Sequence, residues 1–179
     1  MHVQTHLAAS WILGSALPER RDRRIIAWAG VLPDLDSLAI VWGAEAYGRW
    51  HHVVTHGLLA GVVVTLFAAA FGRMRVKVAI LAFAAFHLHL IADLVGSGVG
   101  WTIVYLYPFS SWELGLTWGW ELASWQNFVA TLAFFAYSVR SAVVWRRSFV
   151  EACAPVVVDS AFCGLVSRTW ARLGRTFSY

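Results

Sequence analysis

The 179-residue chain is 59% hydrophobic and only 13% charged, with eleven tryptophans and a net charge of +4. These proportions exclude an ordinary soluble globule and a disordered segment, and they point to a membrane protein. The arginines cluster at the ends of apolar runs, so topology and anionic lipid account for the positive balance, and no nucleic-acid partner is expected.

In chain order, Val3 to Leu17 is a short apolar segment, closed by Pro18 and the basic run Arg20, Arg21, Arg23, Arg24. It does not read as a signal peptide, since it opens on His2 and His6 and lacks a basic leader. Ile25 to Gly43 is a second apolar segment, broken by Gly30 and Pro33-Asp34. A break at membrane depth is tolerated where it lines a cavity or is buried in protein. Val53 to Gly72 and Val76 to Val95 are spans of membrane-crossing length joined by the basic turn Arg73-Met74-Arg75. Gly96 to Trp125 is a loop rich in Gly, Trp and Tyr, and Gln126 to Trp145 is a further span. From Val156 to Phe177 an amphipathic surface helix is expected, with Val158, Phe162, Leu165 and Leu173 on one face and Arg168, Arg172 and Arg175 on another. The expectation is an all-α, polytopic bundle of about four to five membrane helices. A membrane domain over 1–150 is followed by a basic amphipathic segment over 151–179. Cys153 and Cys163 form no CxxC, and neither a disulfide nor a thiolate–metal site is expected.

The positive-inside rule puts Arg20–Arg24, Arg73–Lys77 and Arg146–Arg147 in the cytoplasm, with Arg49 a minor exception. His6, His51, His56, His89 and Asp93 then fall near the opposite, non-cytoplasmic ends. His89 and Asp93 are spaced i, i+4 and share one helix face, where both can hold one divalent metal. His87 falls on the opposite face and reads as a packing histidine. Asp34 and Asp36, at i, i+2, converge only in a turn or extended segment, which fits Pro33. His52 and His56 share a face if the helix has begun, and His51 joins them only if it precedes the first turn. Ionisable groups of these types in apolar helices are costly, so a functional site is the default reading. The alternatives are a His–Asp hydrogen bond within a bundle, a metal or proton transporter, and a b-type haem protein.

The order Thr5-His6, Leu32-Pro33-Asp34-Leu35-Asp36, His51-x3-Thr55-His56, His89-x3-Asp93 and Tyr107-Pro108-Phe109 resembles the inner-membrane-associated metal-dependent hydrolases, a family also labelled LexA-binding. The resemblance covers roughly residues 1–110. It implies a bacterial inner-membrane, multi-pass enzyme, and through a distant similarity to zinc-dependent phospholipase C it implies phosphoester or phospholipid hydrolysis. The implied metal ligands are His6, Asp34, Asp36, His51, His56, His89 and Asp93, holding two divalent ions, with zinc ahead of manganese or iron. Asp34 and Asp36 are also the catalytic candidates. The family reads His-Arg-x-x-Thr-His, so His52 stands where it has an arginine, and Arg49 is the candidate to take over that role. Thr5, Thr55 and Trp101 are wall or packing candidates. The tryptophan-rich loop would roof a lipid substrate, and membrane lipids are the expected partners.

Overall fold

A computed structural model describes residues 1–176. Phe177, and the side chain of Arg175, lie outside what is described. Among the described residues there are seven α-helices: α1 Val3–Gly14, α2 Arg20–Ala29, α3 Ala44–Trp50, α4 Leu58–Phe71, α5 Arg75–Gly96, α6 Trp125–Val144 and α7 Val156–Thr176. Two 3₁₀ segments, Leu32–Trp42 and Phe149–Ala152, complete the set. The only β-pairing among the described residues is a single bridge between Ile103 and Leu114 in the long loop after α5.

Two helices, α5 and α6, are long and apolar enough to cross a membrane. A third span results if α2 and the following 3₁₀ segment count as one element bent by 50°. The bend has a local cause, because Pro33 lacks the amide that would continue α2. The expected span Val53–Gly72 is shortened: α4 begins only at Leu58, since residues 51–57 form a turn that carries the histidines. At twelve and fourteen residues, α1 and α4 are shorter than the spans read from sequence.

Helix contacts are made by small side chains. Ala29, Ala68, Ala82 and Ala85 are buried around Ile26 and Val78, and Ala27 packs beside Trp11 and Ala152. Lipid tails are as apolar as leucine, so such helices gain from close approach and not from leaving water. Gly30 shows how close: a Cβ there would fall 1.8 Å from Ser10 Oγ.

The basic runs meet at one end of the bundle. Arg147 donates to the carbonyls of Ser15 and Leu17, Arg20 to those of Glu151 and Ala154, and Arg73 pairs with Glu19. Beneath them lies a lock the sequence did not announce. Glu151, 1% exposed, accepts from Arg23 at 2.5 and 2.7 Å and from Trp11 Nε1 at 2.7 Å. Asp22, also buried, accepts the amides of Arg73 and Met74 and so docks the α4–α5 turn onto α2.

In α7 the packing is the reverse of a soluble helix. Its buried residues are Asp159, bonded to Ser148, and Cys163, and Ser167 reaches the carbonyl of Ala142. The expected apolar face looks outward, with Val158, Leu165 and Leu173 exposed.

Candidate metal centre

α5 places Arg75 at the basic end, and its helical rise carries Asp93 about 27 Å away. There His89 and Asp93 share one face, and the 51–57 turn and the 3₁₀ segment close around them.

The turn is held by two staples. Thr55 Oγ1 donates to the carbonyl of Pro33 and accepts from the Asp36 amide at 3.1 Å. The loop after α5 contributes the second: its Val104 amide donates to the carbonyl of His52, whose φ of 67° is left-handed. A non-glycine residue there is uncommon, and its neighbours must hold it.

Four donor residues, Asp34, His56, His89 and Asp93, bring one ligand atom each to within 4.8 Å of one another. His51, His52 and His56 form a second such group, so His56 belongs to both. His89 Nε2 lies 3.0 Å from Asp93 Oδ2, 3.3 Å from His56 Nε2 and 3.6 Å from Asp34 Oδ1. His52 Nε2 is 3.7 Å from Asp93 Oδ2.

The outer nitrogens of His51, His56 and His89 are spoken for. His89 Nδ1 bonds the carbonyl of Gly30 at 2.8 Å, while Asp36 takes His51 Nδ1 at 2.8 Å and His56 Nδ1 at 3.0 Å. Partners of this kind fix the tautomer, and here they leave Nε2 of each ring for an ion. Sequence reasoning treated Asp36 as a ligand like Asp34. The structure brings it to the cluster behind the histidines, with its oxygens shared among His51, His56 and the Thr55 amide.

The remaining candidates separate cleanly. His6 is buried, stacks on His89 at 3.7 Å between ring centroids and bonds Asp93 Oδ1 at 3.1 Å. Thr5 turns towards Thr131 of α6, a packing role. His87 bonds Phe83's carbonyl and the Tyr105 hydroxyl, away from the cluster. Arg49 is exposed and paired with Glu45, and does not line the cavity. Trp101 and Tyr47 flank His51, at 5.7 and 4.6 Å between centroids. Tyr47 was missed from sequence, although it stands four residues before His51 on the short helix that delivers it.

A cavity of about 430 Å³ opens onto Asp34, Tyr47, His51, His52, Asp93 and Trp101. Among the described residues no lysine or arginine lines it. Burial, then the neighbouring His56 and His51, push the His52 imidazole down to about 3. Burial also opposes a charge on His56, but its bonds to Asp36 and Asp93 outweigh that and lift it to about 9.

Two observations test whether an ion fits. Asp34 Oδ2 and His52 Nδ1 are buried polar atoms with no hydrogen-bond partner, and such atoms call for one. The donors are imidazole nitrogen and carboxylate oxygen, suited to zinc and similar ions. Neighbouring ligands of a tetrahedral zinc stand roughly 3.3 Å apart, which matches the contacts around His89.

A family model matches residues 1–171, and its description is YdjM inner membrane protein. The chain belongs to that family. It is therefore a membrane protein, as its apolar helices also indicate. The match extends well beyond the roughly 110 residues that carried the resemblance, into α7. No curated protein and no solved structure matches the chain.

Proposed function

We propose that this family member is a membrane-embedded, metal-dependent hydrolase of phosphoesters, with its site near the non-cytoplasmic face of a bacterial inner membrane. The supporting observation is the convergence of His56 Nε2, His89 Nε2, Asp93 and Asp34, with the outer nitrogens of both rings held by Asp36 and Gly30. His51 and His52 supply a second set through the shared His56, which accommodates two ions. Bound there, divalent ions supply Lewis-acid polarisation and an acidified water. The protein's own contribution is to fix the imidazoles and to keep Asp34 Oδ2 unpaired at the cavity wall. Tyr47 and Trp101 wall the cavity and orient whatever enters. Among the described residues no lysine or arginine lines the cavity, the cation at its wall is the Met1 ammonium bonded to Asp93 and Ser97, and Arg49 takes no part.

The competing readings fit less well. A transporter needs polar groups across the bilayer, whereas the far end of the bundle is closed by the Arg23–Glu151–Trp11 lock. In a haem site the porphyrin plane would occupy the space between two facing imidazoles, yet His56 and His89 approach to 3.3 Å with Asp93 beside both.

The test is elemental analysis of purified protein, followed by assays of the zinc- and manganese-loaded forms against phospholipids and soluble phosphoesters. Bound metal with Asp93-dependent hydrolysis is expected. Stoichiometric metal without any such hydrolysis would reduce the site to a structural one.

A further inference from the structure

Two further cavities lie together at the other end of the molecule, on the outer surface of the bundle. One, of about 310 Å³, runs between α2 and α4 and is floored by Trp28, Leu32, Val64 and Phe67. The other, of about 430 Å³, opens among Arg20, Arg21 and Arg24. They share Arg24, Ile25 and Phe71, so one groove passes from an arginine cluster into an apolar trough.

Arg21 and Arg24 are not used up by the fold. Arg21 is exposed and bonds nothing among the described residues. Arg24 gives only its Nε, to the carbonyl of Ala152, which leaves both terminal nitrogens free. Arg20 is more engaged: its Nε makes no hydrogen bond but stands 3.7 Å from Glu151 Oε2, and its Nη2 is bonded to the carbonyls of Glu151 and Ala154. Arg20 and Arg21 sit in the N-terminal turn of α2, where the helix dipole is already positive, and Arg24 follows one turn on. The trough walls are firm: Trp28 is tied by Nε1 to the Ala152 carbonyl, and Ala68 is buried.

We infer that this groove binds an anionic phospholipid, its phosphate on Arg21 and Arg24 beside Arg20 and an acyl chain along the α2–α4 trough. Charge selects the headgroup, and the apolar continuation selects a lipid over a free anion. Neither part uses the metal centre, so the assignment stands apart from the hydrolase reading.

The test uses the full-length chain in bilayer nanodiscs of phosphatidylcholine with phosphatidylglycerol, followed by native mass spectrometry of the lipid retained in mild detergent. Phosphatidylglycerol is expected to be retained in preference. An R21Q/R24Q variant should lower that preference about thirtyfold, since each cation near the headgroups contributes about 1 kcal/mol. Val64→Trp, or Leu32→Trp should the first fail to fold by circular dichroism, fills the trough and should also lower it. Inorganic phosphate at millimolar concentration should not displace the lipid. Equal retention by wild type and R21Q/R24Q overturns the site. Loss in R21Q/R24Q with no effect of either trough variant leaves surface electrostatics only and overturns the groove. Displacement by phosphate alone would make it a soluble-anion site, and lipid-independent dimerisation through this face would make it a protein interface.

Discussion

Asp36 and Asp93 look alike in sequence, each a carboxylate near histidines, and their positions separate them. Asp93 Oδ2 stands among His52, His56 and His89, whereas Asp36 grips the far sides of His51 and His56. Asp93→Ala should abolish binding of at least one ion. Asp36→Asn, which keeps the shape but weakens its grip on the imidazoles, should lower metal affinity by about 10–100-fold, as loss of an orienting partner does. Isothermal titration with zinc separates the two, and equal loss in both variants would return Asp36 to the ligand set. His56 sets the pH dependence. Its pKa of about 9 lies above the unfolded value, so in the metal-free protein its protonated form stabilises the fold. That contribution is complete below about 6.5 and is lost as pH rises through about 9. The metal competes with the same proton, so affinity should keep climbing between pH 7 and 9 instead of levelling near the usual histidine range. A metal affinity that is flat above pH 7 would show that His56 enters as a free base.

At the level of elements, legibility followed the period of the pattern. The i, i+4 pair His89–Asp93 could be read directly because α5 is a regular helix, and the charge distribution placed the basic turns at one end. The 51–57 turn could not be read in the same way. Its apolar residues, Val53 and Val54, look like the start of a span, and only tertiary staples from Thr55 and the Val104 amide make it a turn. Family register favours His51 and helical spacing favours His52; in a turn both reach His56. The lock at the other end was invisible for a different reason. Glu151 lies 128 positions from Arg23, and nothing local marks the pair. Removing one partner leaves a buried charge, so Glu151→Ala should cost about 3–5 kcal/mol, whereas replacing both by R23M/E151L should recover most of it. Chemical denaturation in detergent measures this, and zinc content should survive in the double variant because the metal centre is at the other end.

For the molecule as a whole, polarity is distributed along the axis of the bundle and inverted across it. One end carries arginines and the Glu151 lock, the other the histidine cluster and the tryptophan-rich loop. The outward surface of the long helices is apolar, and α7 turns Asp159 and Cys163 inward. An inverted surface makes physical sense when the surrounding solvent is lipid, and the axial asymmetry then fixes orientation through the arginines. The chain carries its own reporter for this, because Cys153 is exposed at the basic end while Cys163 is buried. A second thiol at the opposite end, Ser111→Cys, sits on an exposed stretch of the loop that touches no metal-centre residue. In intact spheroplasts a membrane-impermeant maleimide should label Ser111→Cys within minutes and should reach Cys153 only after lysis. Labelling of Cys153 in sealed cells, with protection of the loop thiol, would invert the topology and put the metal centre at the cytoplasmic face. A substrate of the proposed hydrolase would then have to come from the cytoplasm or the inner leaflet.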